Sequence, residues 1–244
     1  MEKHERAFEH IIAITNRSLC ERPFLEQMKC VCALHPAAIV LREKDLPQEE
    51  YKRLAERVMD ICAAYQVPCI LHYYPKVAVE LGCKNIHLPL WRLRESSVDA
   101  EQSSGTKETA GAEKSSGVQE NVGAVQWERL GCSIHSVEEA IEAEQLGATY
   151  LTAGHIYATD CKRGVPPRGL EFLQEVCSNV QIPVYAIGGI GLELQNNAEN
   201  QAANSQADLK SKQSVLWIPD QKQLSEVLSH GAAGGCIMSG MMRL

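Results

Sequence analysis

Short apolar runs recur along the chain at Ile11–Thr15, Ala38–Arg42, Cys69–His72, Asn85–Leu88, Gly131–Ile134, Thr149–Ala153, Pro183–Ile187 and Gly234–Met238. They are short for helices and rich in Ile and Val, so eight strands are predicted. Amphipathic stretches separate them. In Glu49–Tyr65, the residues Leu54, Val58, Ile61 and Cys62 fall on one helical face. Val137–Leu146 reads the same way, with Ser136 placed to cap it and acids in its first turn. Gly147 and Gly231 stand where helices commonly stop.

Strands alternating with helices imply a parallel sheet, and eight of them suit a closed (β/α)8 barrel. The competing α/β fold is an open doubly wound sheet, which more often carries a glycine-rich dinucleotide loop after its first strand. Here that strand runs into ITNRSLC, with no GxGxxG. A compact TIM barrel over residues 1–244 as a single domain is the reading. Two segments interrupt it, Glu95–Gly123 and Glu193–Ser214, both rich in small and polar residues. Neither can bury enough apolar surface to offset the entropy of ordering. They are expected to be mobile surface insertions, with a polar helix as the alternative for the second.

Composition narrows the function. Of 244 residues, 45% are hydrophobic and 23% charged, enough for a real core. No apolar run reaches 18 residues, so no membrane span is expected, and Met1–His10 lacks the apolar centre of a signal peptide. Ten cysteines occur without a CxxC pair or zinc-finger spacing, and Cys69 and Cys236 lie in apolar runs. A reduced, cytoplasmic protein is the expectation. A net charge of −7 argues against nucleic-acid binding, yet leaves room for a local pocket that takes a small anion.

In a barrel, chemistry belongs at the C-terminal ends of the strands. Glycines after the seventh and eighth strands, at Gly188, Gly189 and Gly240 beside Ser239, would let backbone amides surround a phosphate. The plainer reading makes them tight turns. An imidazole suits general acid–base work near neutral pH, which makes His135 a candidate; the plainer reading has it bond to its own turn. His72 and His155 are placed similarly, and His87, inside a strand pattern, reads as structural. Arg42 and Lys44 could counter a substrate anion, or be solvated. Four histidines without paired carboxylates make no convincing metal site.

LREKD at Leu41–Asp45, GCSIHSVEEA at Gly131–Ala140, AIGGI at Ala186–Ile190 and MSG at Met238–Gly240 resemble motifs of the thiamine-phosphate-synthase/TenI superfamily. GHIYATDCKRGVPPRGLE, from Gly154 to Glu171, is similar to the TenI form of its loop. Synthases of this superfamily carry Asn-Asp-Arg after strand three and His-Leu-Gly-Gln-x-Asp after strand four, for magnesium and pyrophosphate. Here the matching places read His72-Tyr73-Tyr74 and His87-Leu88-Pro89-Leu90-Trp91-Arg92, so Tyr73 and Arg92 replace both aspartates. Losing that clamp would remove the main charge stabilisation for a pyrophosphate leaving group.

The resemblance therefore implies a thiazole tautomerase of thiamin biosynthesis. It would move one proton of a thiazole carboxylate phosphate and make the ring aromatic, with neither metal nor organic cofactor. His135 would carry the proton. Arg42, Lys44, His155 and Lys162 would bind substrate, and Gly188, Gly189, Ser239 and Gly240 the phosphate. The alternatives are a thiamine-phosphate-synthase-like transferase, or a catalytically silent phosphate-ligand-binding or regulatory protein. The partner is the small-molecule thiazole phosphate, with no nucleic acid and no membrane. Barrels often pair into homo-oligomers, although no apolar stripe marks an interface here.

Overall fold

The first apolar run forms β1 (Ile11–Ile14), which pairs in parallel with β2 (Ala38–Leu41) on one side and with β10 (Gly234–Ile237) on the other. First and last barrel strands are thus neighbours, and the sheet closes. This is a computed structural model that describes residues 7–95, 125–195 and 217–244. The barrel is completed by β3 (Cys69–His72), β4 (Asn85–Pro89), β5 (Arg129–Ile134), β6 (Tyr150–Gly154) and β7 (Val184–Ile187). All eight strands run parallel, in the order β1-β10-β7-β6-β5-β4-β3-β2. Every residue of β1, β2, β3, β6 and β10 is buried, as in a parallel sheet covered on both faces.

The helices are α1 (Phe24–Cys32), α2 (Gln48–Ala64), α3 (Pro75–Glu80), α4 (Val137–Gln145), α5 (Gly169–Asn179), α6 (Gln221–Ser229) and α7 (Ser239–Met242). Residues 90–95 are helical as well. In α2 the fully buried line is Tyr51, Ala55, Val58 and Cys62, while Leu54 and Ile61 flank it half-buried. Ser136 caps α4 by accepting the Glu139 N–H at 3.1 Å, and the Glu139 carboxylate accepts the His135 N–H in return. Gly147 and Gly231 follow their helices with φ of +90° and +89°, where a Cβ would strain the turn.

Most of the core lies between sheet and helices. A smaller cluster fills the barrel itself, including Ile12, Ile14, Val40, Ile70, Tyr150 and Cys236. Inside it, His87 bridges the Tyr150 hydroxyl at 2.9 Å and the Ser133 hydroxyl at 2.8 Å. Gly131 makes this possible, because a Cβ there would run into both the Tyr150 ring and His87 Nδ1.

The eight predicted strands are all present. The second insertion needs correcting at its start. Leu192–Leu194 (β8) pairs antiparallel with Trp217–Pro219 (β9), so Glu193 and Leu194 belong to a hairpin rather than to loose chain. Strands of three residues are too short to show a period of two in sequence. Of the first insertion, Glu95 ends the described helical stretch, and 96–123 lie outside the described residues, as do 196–214 of the second. Among the described residues no helix is long and apolar enough to cross a membrane.

Candidate active site

The strand ends of β1 and β2 are tied together by one carboxylate. Glu43, 3% exposed, accepts the Thr15 hydroxyl at 2.6 Å and the Arg17 N–H at 3.1 Å from both its oxygens. The Arg17 guanidinium adds a bond at 3.2 Å and also grips Asp45. Thr15 in turn accepts the Arg42 N–H at 2.9 Å. Glu43 is committed to the β1 loop, while the Arg42 charge acts on Lys44 and on His72 at the neighbouring strand end. Burial lowers the pKa of Arg42, and burial together with the Arg42 charge lowers that of Lys44. Neither cation is hydrogen-bonded or ion-paired to a described residue. The two remain available to an anion.

Next along the rim, His72 ends β3. Its ring stacks on His87 at 6.0 Å and 14°, and on Tyr73 at 6.3 Å and 22°. Burial pushes His87 down to about 3, with the Arg42 charge acting in the same direction. His72 is held well below the usual imidazole range by burial first, then by His87, Arg42 and Lys44. Both rings are neutral at physiological pH. Tyr73 has φ +74°, a left-handed conformation that costs an aromatic residue about 1–3 kcal/mol. Its ring lies 4.8 Å from the Arg92 guanidinium carbon. These two residues fill the places where the resemblance puts magnesium-binding aspartates. A phenol and a guanidinium do not fit that ion, which takes carboxylate oxygens. Among the described residues no group of three His, Cys, Asp or Glu is arranged to hold a metal.

Two histidines meet around Gly154, the last residue of β6. His135, exposed just beyond β5, has Nδ1 3.0 Å from the Gly154 carbonyl. His155 follows Gly154, is 5% exposed, and has Nε2 3.3 Å from the Val165 carbonyl. Its Nδ1 is buried with no hydrogen-bond partner. An orphaned buried nitrogen costs about 1–3 kcal/mol and is an opening for a ligand atom. Lys162 sits in an exposed 3-10 turn, Asp160–Lys162, and its side chain makes no hydrogen bond or ion pair with a described residue.

The loop after β7 carries two of the glycines expected to approach a phosphate. Gly188 and Gly189 have φ of +96° and +79°. A Cβ on Gly188 would strike His155, and one on Gly189 would strike Tyr157. Glycine is therefore required for packing as well as for any ligand, and sequence could not separate the two causes. The carbonyls of the loop turn toward protein: Gly188 O accepts the Tyr157 N–H at 3.0 Å, and Gly189 O accepts Gln223 Nε2 at 3.0 Å. The N–H groups of Gly188, Gly189 and Ile190 donate to no described residue. Ile187 of β7 is in register with Cys236 of β10, which brings Ser239 and Gly240 beside this loop at the start of α7. Gln223, Tyr157 and Glu43 were not singled out as site-building residues from sequence. Gln223 in particular stands beyond a polar insertion that hides its spacing from the glycines.

Eight parallel strands closed into one barrel, with helices between them, define the class, a (β/α)8 barrel whose C-terminal rim is where such folds carry their chemistry. The family can be stated as well. A family model described as thiamine monophosphate synthase (TMP-TENI) matches residues 11–104 and 117–208, and the chain belongs to that family. Thiamine-phosphate synthase 2 of Streptococcus pneumoniae is 31% identical over 170 residues, covering 70% of each chain. A putative thiamine-phosphate synthase 2 of Aquifex aeolicus is 30% identical over 183 residues, 75% of this chain and 86% of that one. The fold resembles a thiamine phosphate pyrophosphorylase from Pyrococcus furiosus, with a TM-score of 0.63 at 23% identity over 98% of this chain and 89% of that one.

Proposed function

We propose that this chain is an enzyme of thiamin biosynthesis that binds a thiazole phosphate and isomerises it by proton transfer. The phosphate would rest on the amides of Gly188, Gly189 and Ile190, beside Ser239 and Gly240. Arg42 and Lys44 would face the carboxylate. When His135 donates from Nδ1 to the Gly154 carbonyl, its Nε2 keeps a lone pair able to take a proton. The same logic applies to His155. Donation from Nε2 to Val165 leaves the orphaned Nδ1 as the base, in a drier setting. Two bases flanking one carbonyl suit a reaction that lifts a proton from one carbon and returns it to another.

The observation that favours isomerisation over transfer is the Tyr73–Arg92 pair in place of two carboxylates. The names of the relatives favour the other reading, a thiamine-phosphate synthase. One pair of assays separates them. Purified protein is given the non-aromatic thiazole carboxylate phosphate and followed by absorbance. In parallel it is given the aromatic thiazole phosphate with a pyrimidine diphosphate and magnesium, and pyrophosphate is measured. Aromatisation without pyrophosphate release supports the isomerase. Magnesium-dependent pyrophosphate release overturns it. The variants His135→Asn and His155→Asn then assign the proton carrier, with a loss of about 10²–10⁴-fold expected where the base is removed. Full activity in both would end the histidine mechanism.

A further inference from the structure

The anion loop does not hold its own shape. Its two glycines have left-handed backbones, a conformation with little intrinsic preference to persist. One side chain grips it from outside. Gln223, in the first turn of α6, donates from Nε2 to Gly189 O at 3.0 Å and accepts the Gly191 N–H on Oε1 at 2.9 Å. A single amide thus spans Ile190, fixing the peptide groups on either side of it. Gln223 is itself held, because its N–H donates to the capping carboxylate of Asp220 at 2.9 Å. The opposite flank is held by Tyr157, whose N–H donates to Gly188 O and whose hydroxyl donates to Glu226 of the same helix at 2.8 Å.

From this we propose that Gln223 is a positioning residue for the anion loop. By holding the Gly189 carbonyl toward α6, it turns the Ile190 N–H, across the same trans peptide, away from α6, while Tyr157 sets the Gly189 N–H in the same way through Gly188 O. A carboxamide supplies a donor and an acceptor at that spacing at any pH. A hydrocarbon supplies neither, and an ionised carboxylate would set a second acceptor against Gly189 O. The proposal rests on the reading of this loop as the phosphate site, and it adds that affinity there depends on a residue that never touches the ligand.

Inorganic phosphate is the probe, titrated into the isotope-labelled full-length protein while backbone amide shifts are followed by NMR. In wild type, Gly188, Gly189 and Ile190 are expected to shift saturably. Gln223→Leu is expected to bind phosphate about tenfold or more weakly, since two hydrogen bonds that set the loop are gone. Gln223→Glu supplies the readout that a purely structural role would not move. Its protonated carboxyl can donate to Gly189 O and accept from Gly191 N–H, so its affinity relative to wild type should approach parity below about pH 4.3 and fall above it. This variant also keeps the proposal open to test if Gln223→Leu fails to fold. Absence of phosphate shifts in wild type would overturn the phosphate site, and this proposal with it. Wild-type binding with unchanged affinity in Gln223→Leu, or a pH-independent ratio for Gln223→Glu, would overturn the role of Gln223 alone.

Discussion

The guanidinium carbon of Arg92 lies 4.8 Å from the centroid of the Tyr73 ring. Tyr73 adopts φ +74° and is flanked by His72, Tyr74 and Trp91, with ring centroids at 6.3, 5.0 and 6.1 Å. A cation over an aromatic face contributes about 0.5–2 kcal/mol, of the same order as the backbone strain at Tyr73. The corner between β3 and β4 is therefore occupied by its own side chains.

A protein with that corner filled should ignore magnesium. Adding magnesium chloride is expected to leave the thermal unfolding midpoint where an equal ionic strength of sodium chloride puts it, because only ligands that bind the folded state raise it. A saturable, magnesium-specific rise would show that carboxylates elsewhere on the rim hold the ion.

Gly131 tests the barrel interior. Gly131→Ala is expected to cost about 3 kcal/mol or more in urea unfolding, since its Cβ would collide with Tyr150 and with His87. A loss below about 1 kcal/mol would mean the His87–Tyr150 pair shifts aside freely.

Buried neutral histidines make stability depend on acid. His87 is pushed down to about 3 by burial, from an unfolded value near 6.5, and His72 is displaced in the same direction. Between those limits the unfolded chain binds the extra proton, so stability rises with pH. The His87 contribution is fully present above about pH 6.5 and is lost as pH falls through that window toward about 3, and His72 acts in the same direction. Each group adds a slope approaching about 1.4 kcal/mol per pH unit. Urea unfolding at a series of pH values should show this decline beginning near pH 6.5; a flat profile down to pH 4.5 would contradict it.

The excursion after β7 leaves and returns at one place. Gly191 O accepts the Asp220 N–H at 3.0 Å, and Leu194 faces Trp217 across the hairpin. Replacing residues 195–216 by Asn-Gly, a turn suited to two-residue hairpins, is expected to stabilise the protein by about 2 kcal/mol through reduced loop-closure entropy. A folded product with a lower melting temperature would show that the removed segment contributes contacts of its own.

Much of the architecture could be read from sequence because a barrel repeats itself. Each strand is a short, wholly apolar run such as Ala38–Leu41, and each helix a longer amphipathic one such as Gln48–Ala64. Rim positions such as Arg42, His135 and Gly188 follow from counting strands. What stayed hidden depends on contacts across the chain. Nothing local marks Gln223 as the partner of Gly189, thirty-four positions away, or Thr15 as the partner of Glu43. The sequence spacing of Gly154, His155 and Lys162 groups them equally, whereas folding buries His155 and leaves Lys162 exposed.

Arg42 and Lys44 make no side-chain hydrogen bond or ion pair to a described residue, in a chain whose net charge is −7. An approaching anion therefore meets opposite forces at different ranges. At low ionic strength it feels the net negative charge from afar, and within a few ångström it feels the two cations and, on the proposed reading, the loop amides. Added salt should then speed arrival by screening the net charge and hasten departure by weakening the pocket. Arrival and departure would respond to ionic strength through different parts of the molecule, and the balance between them would set how long an anion stays.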